Sequence, residues 1–240
     1  MKNWGVFYGV GVGPGDPELL TLRAQKILTQ VEFVAIPKSR LERESVAWEI
    51  ARPFCRRDAG MIELELPMTS DRARLEEAWR EGAHKILAHL QEGASVAFIT
   101  LGDPSLYSTY SYLVDSLRAL VPEECIRTVP GITAMSAAAA LVNLPLATGD
   151  EPLLVLPSAE GAMAYQDFPN LVFLKVSRRL PELLATFEKS GRPTVLLTRV
   201  GQVGQTVRRQ PKAADLGEEG IDYLSLMLVK GANKGENDGR

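Results

Sequence analysis

The stretch GVGVGPGDPELLTL, at residues 9–22, decides the fold class. The apolar run at 6–12 predicts a strand, and the following GPGD predicts a tight loop, because glycine permits close backbone turns and proline fixes their shape. Leu20, Ala24 and Leu28 then fall on one face, which predicts a helix directly after the loop. Strand, glycine-rich loop and helix together form the repeating unit of an α/β layer.

The same unit recurs twice further along the chain. Predicted strands at 94–100 and 126–129 are followed by the loops GDP at 102–104 and PGITA at 130–134, and each loop leads into a predicted helix. Because parallel strands end at the same edge of a sheet, we expect the three loops to lie together, where open α/β sheets bind ligands.

Turn-forming residues at 144–152 interrupt this alternation and predict a domain boundary. We therefore expect an N-terminal α/β domain at 1–148, a C-terminal α/β domain at 149–232 and a flexible tail at 233–240. In the second domain, strands at 194–199 and 205–209 have no helix between them, which predicts a mixed sheet.

Composition limits the function classes. The 240 residues are 45% hydrophobic, and 27 basic against 30 acidic residues give a net charge of −3, which does not favour nucleic acid or an anionic membrane as partner.

No leader or long apolar segment is visible, so the cytoplasm is the expected location. Cys55 and Cys125 are far apart and His84 and His89 fall on different helix faces, so no metal site is predicted.

The first loop does not carry a dinucleotide fingerprint. The third glycine of G-x-G-x-x-G would fall on Pro14 or Asp16, depending on the start, so a nicotinamide enzyme is not expected. One interpretation of Asp103 is purely structural, as a residue that initiates a turn before Pro104. Because it lies among three loops at one sheet edge, a ligand site is the better interpretation.

These motifs carry a family resemblance. GVGVGPGDPELLTL at 9–22, GDPSLY at 102–107 and VPGITA at 129–134 together resemble the tetrapyrrole methylases, in order and over essentially the whole chain. The resemblance implies two α/β domains of the class III methyltransferase type, with the cofactor in the cleft between them. It also implies S-adenosylmethionine as methyl donor and a homodimer.

Two further stretches narrow the resemblance. LPMT at 66–69 and DPSLYSTY at 103–110 are similar to the members that methylate precorrin-2, or its cobalt form, at C(20) in cobalamin biosynthesis. No motif distinguishes the metal-free substrate from the cobalt-loaded one. The alternatives are methylation of another ring position, methylation of a macromolecule, or a tetrapyrrole-binding module without catalysis.

The resemblance implies site residues at the positions where this sequence matches the motifs of the family. The implied cofactor contacts are Pro14, Leu101, Gly102, Asp103, Leu106, Thr133, Ala134 and Lys175. The implied substrate contacts are Gly13, Gly15, Asp16, Lys38, Arg40, Tyr107, Arg178 and Arg179. Relatives often carry methionine at the position of Lys175, so its role is open.

The implied reaction is attack of an electron-rich ring carbon on a sulfonium methyl group. Alignment of the reactants supplies most of the catalysis. Loss of the ring proton then needs a weak base, for which Asp103 is the candidate. A carboxylate-rich substrate also requires local cations, and Lys38, Arg40, Arg43, Lys175, Arg178 and Arg179 are the candidates, with solvated loop charges as the alternative.

Overall fold

The computed structural model describes residues 3–37, 45–67, 69–215 and 222–231. The chain divides into two units, Met1–Thr133 and Ala134–Arg240. This division lies one helix before the boundary predicted at residue 148. The predicted tail at 233–240 lies outside the described residues.

The described part of the first unit contains the strands β1 (Phe7–Gly11), β2 (Phe33–Pro37), β3 (Gly60–Leu64), β4 (Val96–Thr100) and β5 (Ile126–Val129). They form a parallel sheet in the order β3-β2-β4-β1-β5. Its helices are α1 (Leu22–Leu28), α2 (Val46–Ala51), α3 (Arg72–Gln91) and α4 (Tyr110–Leu117), with 3-10 turns at Pro17–Leu19, Arg52–Phe54 and Glu123–Cys125.

Helices cover both faces of this sheet. Along β4, Val96 and Phe98 join the buried cluster beneath α3 and α4, whereas Ala97 and Ile99 join the cluster beneath α1 and α2. Successive side chains of a strand point to opposite faces, so a strand covered on both sides is apolar throughout. That explains why this segment lacks an alternating pattern.

The helix predicted after each of the three loops is present in the structure. The helix predicted after the first loop begins at Leu22, where the Oγ1 of Thr21 accepts a hydrogen bond from the Ala24 amide at 3.1 Å. Helix α2 ends at Ala51, and the chain continues as a 3-10 turn that contains Pro53. Proline has no N–H, so Pro53 cannot donate the backbone hydrogen bond that would continue the helix, which accounts for that end.

The second unit contains the predicted mixed sheet. Its described residues include the strands β6 (Leu153–Leu156), β7 (Asn170–Leu174), β8 (Thr194–Thr198), β9 (Thr206–Arg209) and β10 (Ser225–Val229). They lie in the order β6-β7-β10-β8-β9, with β6 parallel to β7 and the other pairs antiparallel. The helices are α5 (Ala134–Leu141) and α6 (Leu180–Ser190), with 3-10 turns at Ala162–Tyr165, Val176–Arg178 and Ala213–Asp215.

A single arginine secures one end of this second sheet. Arg192 is 7% exposed, and its guanidinium donates to the carbonyls of Phe168 (2.7 Å), Pro169 (2.7 Å) and Lys230 (2.9 Å), as well as to that of Gln166. Burial lowers the pKa of Arg192 from its usual value. The side chain thereby satisfies carbonyls of two segments that are distant in the sequence.

Candidate functional site

The three predicted loops lie side by side at one edge of the first sheet. Strands β4, β1 and β5 are neighbours in the sheet and run parallel, so the loops at 101–107, 12–16 and 130–133 all leave from their carboxyl ends. This is the edge at which open α/β sheets bind ligands. The predicted convergence of the loops is confirmed.

Backbone hydrogen bonds join the first loop to the second. The Gly102 amide donates to the Gly13 carbonyl at 2.7 Å, and the Gly13 amide donates to the Gly102 carbonyl at 3.3 Å. Both glycines have a positive φ, 80° at Gly13 and 74° at Gly102, which residues with a Cβ rarely adopt. The two loops are therefore fixed to each other by main-chain atoms.

The third loop approaches the backbone of the second loop so closely that a side chain at the point of contact would not fit. A Cβ on Gly131 would lie 2.1 Å from the carbonyl oxygen of Gly102, and one on Gly11 would lie 2.6 Å from that oxygen. Glycine at 11 and 131 thus allows the three loops to pack main chain against main chain.

Asp103 ties the second loop to the third through its side chain. Its Oδ2 accepts a hydrogen bond from the Gly131 amide at 2.8 Å. Its Oδ1 accepts from the Ser105 amide at 2.8 Å and from the Ser105 hydroxyl. Both carboxylate oxygens are therefore engaged in holding the loops.

These hydrogen bonds also affect the acidity of Asp103. Partial burial opposes ionisation, but the bonds from Ser105 and Gly131 outweigh it and lower the pKa of Asp103 below its usual value. The group is ionised at neutral pH and is a weaker base than an unperturbed aspartate.

The structure brings most of the predicted cofactor contacts together. The members on the three loops of the first unit are Pro14, Leu101, Gly102, Asp103, Leu106 and Thr133. Ala134 is the first residue of α5, and Lys175 directly follows β7; both belong to the second unit. Among the residues that the structure describes, none has an atom within 4 Å of the position of a Cβ on Gly102, so open space lies against the backbone there.

The predicted substrate contacts fall into several environments. Gly13 and Gly15 are buried in the first loop, while Asp16 uses its Oδ1 to accept a hydrogen bond from the Glu18 amide at 2.9 Å. Tyr107 closes the second loop with its side chain 50% exposed. The predicted contacts Lys38 and Arg40, with the neighbouring Arg43, lie outside the described residues.

The basic residues of the second unit follow strand β7. Lys175 has a left-handed backbone (φ 55°), and its ammonium nitrogen lies 5.5 Å from the centroid of the Tyr223 ring. Arg179 is exposed and forms an ion pair with Glu182 at 3.7 Å. Arg178 lies in the 3-10 turn between them, at Val176–Arg178.

Sequence reasoning missed two residues that order the loops. Ser105 binds Asp103 as described above, and the Thr21 hydroxyl lies 3.5 Å from the Pro130 carbonyl, to which it donates. An Asp followed two residues later by Ser is a typical turn pattern, and a Thr before an apolar helical repeat is a typical N-cap. Those signals predict the local bonds, but not the contact of Thr21 with the third loop.

No helix among the described residues is long and apolar enough to cross a membrane.

Known proteins are similar to this chain over most of its length. A family model described as tetrapyrrole (corrin/porphyrin) methylases matches residues 6–215. The probable cobalt-precorrin-2 C(20)-methyltransferase of Methanocaldococcus jannaschii is 35% identical over 225 residues, covering 93% of this chain and 95% of the relative. The precorrin-2 C(20)-methyltransferase of a Sinorhizobium species is 33% identical over 242 residues, covering 95% and 96%.

Solved structures share the fold. The uroporphyrin-III C-methyltransferase of Thermus thermophilus, solved in complex with S-adenosylhomocysteine, superposes with a TM-score of 0.67 at 22% identity, covering 94% of this chain and 92% of that one. This similarity supports the two-unit α/β architecture predicted from the sequence.

Proposed function

Because the chain belongs to the tetrapyrrole (corrin/porphyrin) methylase family, we propose that it methylates C(20) of precorrin-2 or of cobalt-precorrin-2 in cobalamin biosynthesis. As a member of this family it is an S-adenosylmethionine-dependent methyltransferase. The observation that carries the proposal is the set of three interlocked loops, which contains the motifs of the family resemblance. Relatives named for C(20) methylation match almost the full chain and support this ring position.

The loops of the first unit fit the proposed cofactor. Gly102 combines a left-handed backbone with open space on its Cβ side, so a ligand can lie directly against the main chain there. We propose the cofactor contacts named above, with Pro14, Gly102 and Asp103 at their centre. S-adenosylmethionine supplies an activated sulfonium methyl group when bound.

The contribution of the protein to this chemistry is positioning. Holding two reactants in line can lower a barrier by about 7 to 11 kcal/mol, and a sulfonium donor needs no acid to activate its leaving group. Main-chain hydrogen bonds between Gly13 and Gly102, and the bond from Gly131 to Asp103, keep the loops in one arrangement. A fixed arrangement of loops is what alignment of two substrates requires.

Asp103 is the proposed weak base for the ring proton. Its carboxylate is ionised at neutral pH, and the hydrogen bonds that lower its pKa make it a weak base. A base of this strength suffices only where the proton is acidic, as it is on a carbon next to a cationic conjugated system. We propose that Asp103 combines this role with fixing the loops.

The remaining parts of the proposal concern substrate charge and assembly. Lys175 and Arg179 are exposed cations of the second unit and are proposed to meet substrate carboxylates, together with Lys38, Arg40 and Arg178. We also propose a cytoplasmic homodimer, as the family resemblance implies. A net charge of −3 does not favour a nucleic-acid substrate.

The function is tested by anaerobic incubation with S-adenosylmethionine and precorrin-2, with and without cobalt. We expect a tetrapyrrole product heavier by one CH₂ unit, formed together with S-adenosylhomocysteine, and NMR with a ¹³C-labelled methyl donor should place the label at C(20). Label at another ring carbon would reassign the position. Binding of the tetrapyrrole without product would favour a binding module, and S-adenosylhomocysteine without methylated tetrapyrrole would contradict the substrate assignment.

A further inference from the structure

Two strands of the second sheet are followed, at the same edge, by a lysine and an arginine. Strands β7 and β8 each run antiparallel to β10, which lies between them, so their carboxyl ends lie at one edge of the sheet. Lys175 directly follows β7, and Arg199 directly follows β8. Both have left-handed backbones, with φ of 55° and 51°, which residues with a Cβ rarely adopt. The chain therefore turns sharply at each of these two cationic residues.

The guanidinium of Arg199 is held from two sides. Its Nε donates a 2.7 Å hydrogen bond to the Oδ2 of Asp222, in the segment that leads into β10. Its side chain also packs on the turn between β8 and β9, where a Cβ on Gly204 would lie 3.7 Å from the Arg199 Cδ and 3.8 Å from its Nη1. These contacts orient the guanidinium before any ligand arrives, which reduces the entropy lost on binding.

The outer N–H groups of Arg199 remain available to a ligand. The side chain is 41% exposed, and within the described part of the chain neither Nη atom has a hydrogen-bond partner. Because Asp222 takes up Nε, the two Nη atoms present a pair of parallel N–H groups at the end of the side chain. Such a pair matches the two oxygens of a carboxylate.

This edge of the sheet also carries an excess of positive charge. The Lys175 ammonium lies 5.5 Å from the centroid of the Tyr223 ring, and it forms no ion pair with any residue that the structure describes. Lys175 and Arg199 thus contribute two positive charges against the one negative charge of Asp222, in a protein whose net charge is −3. A local excess of cations in an acidic protein favours an anionic ligand.

We propose that Arg199 binds a carboxylate group of a ligand through its paired Nη N–H groups. This inference rests on the proposed function, because both ligands of that reaction carry carboxylates. The cofactor has one at its amino-acid end, and the tetrapyrrole has several on its ring substituents. Arg199 recognises the same chemical group in either case, and the choice of ligands in the experiment separates the two sources.

Three ligands and one variant test the proposal. S-adenosylhomocysteine carries the amino-acid carboxylate, methylthioadenosine lacks the whole amino-acid end, and uroporphyrin III is a stable, carboxylate-rich tetrapyrrole. Arg199→Met keeps most of the apolar stem and removes the donors. We expect it to weaken the binding of S-adenosylhomocysteine or of uroporphyrin III by at least about tenfold, the effect of losing a charge-assisted hydrogen bond. Calorimetry measures the two nucleosides, and an absorption titration measures the tetrapyrrole.

The pattern of losses identifies the carboxylate. Weaker binding of S-adenosylhomocysteine with unchanged binding of methylthioadenosine would assign Arg199 to the cofactor, and weaker binding of uroporphyrin III alone would assign it to the substrate. If Arg199 only anchors the turn after β8, Arg199→Met should lower the Tm and leave all three affinities within about twofold of the wild type, which would overturn the proposal. An equal loss for methylthioadenosine would indicate general disruption and would overturn it as well.

Two further variants serve as controls. Arg199→Lys keeps the positive charge but loses the paired N–H groups, so it should not restore wild-type affinity; full recovery would overturn binding through those groups. Arg56→Met removes an arginine of the first unit that is likewise paired with an aspartate, through a 3.0 Å hydrogen bond from its Nε to Asp58. It should leave the affinity for all three ligands unchanged.

These titrations do not require turnover. A wild-type protein that binds its ligands through Arg199 but methylates nothing would refute the proposed reaction and leave the carboxylate contact standing. A protein that methylates precorrin-2, and whose ligand affinities are the same in wild type and Arg199→Met, would retain the reaction and refute the contact.

Discussion

The Gly131 amide donates a 2.8 Å hydrogen bond to the Oδ2 of Asp103, across 28 positions of sequence. This bond joins the loop after β4 to the loop after β5, while Gly131 also packs against the carbonyl of Gly102. A carboxylate and a glycine in two separate motifs thus form one structural unit. The motifs are interdependent, and a change in one should be measurable as a change in the other.

Replacement of Asp103 by asparagine tests its proposed chemical role. We expect Asp103→Asn to remain folded by circular dichroism and to lose about 100-fold in turnover, the lower range for loss of a general base. Asp58→Asn, which removes an exposed carboxylate paired with Arg56, is the control and should keep full turnover. Turnover unchanged in Asp103→Asn would remove Asp103 from the mechanism.

The lowered pKa of Asp103 predicts a pH dependence of stability. A carboxyl group whose pKa is lower in the folded state stabilises the protein above its unfolded-state pKa, and this contribution is lost as pH falls through the folded-state pKa. The usual value is 3.8, and hydrogen bonds from Ser105 and Gly131 lower it here.

Urea unfolding of wild type and Asp103→Asn at several pH values measures that contribution. The difference in free energy of unfolding should be constant between about pH 6 and 8 and should shrink below about pH 4. A difference that grows on acidification would mean that Asp103 has a raised pKa, contrary to the structure.

Gly131→Ala should disrupt the loops by crowding. The added Cβ would lie 2.1 Å from the Gly102 carbonyl oxygen, so the third loop must move, at a cost of about 1 to 3 kcal/mol in free energy of unfolding. We also expect weaker binding of S-adenosylhomocysteine, measured by calorimetry. Gly231→Ala, whose Cβ would meet its nearest atom at an ordinary 3.4 Å, is the matched control. Equal stability of the two variants would show that the loops have room to adjust.

The sequence predicts local units better than the contacts between them. The glycine and proline loops after β1, β4 and β5 were predictable because strand, loop and helix each have a short-range pattern. The same kind of pattern predicts the mixed sheet of the second unit. The bond from Gly131 to Asp103 and the bond from Thr21 to the Pro130 carbonyl were not predictable, since each depends on segments that only the folded sheet brings together.

Arg192 illustrates this limit most clearly. In the sequence it follows Gly191 at the end of a helix and suggests a solvated charge. In the structure it is 7% exposed and donates to backbone carbonyls 23 to 38 positions away. Every residue has a backbone carbonyl, so the sequence does not show which carbonyls a side chain will contact.

Removal of the Arg192 side-chain donors should therefore lower the free energy of unfolding. Arg192→Met keeps much of the apolar stem but leaves buried carbonyls of Phe168, Pro169 and Lys230 without their partner, so we expect a loss of about 3 to 5 kcal/mol in free energy of unfolding. Arg118→Met, which removes an exposed ion pair with Asp115, should change stability by less than about 1 kcal/mol. Both are measured by urea unfolding at neutral pH. A loss at Arg192 no larger than that at Arg118 would mean that water replaces the guanidinium at these carbonyls.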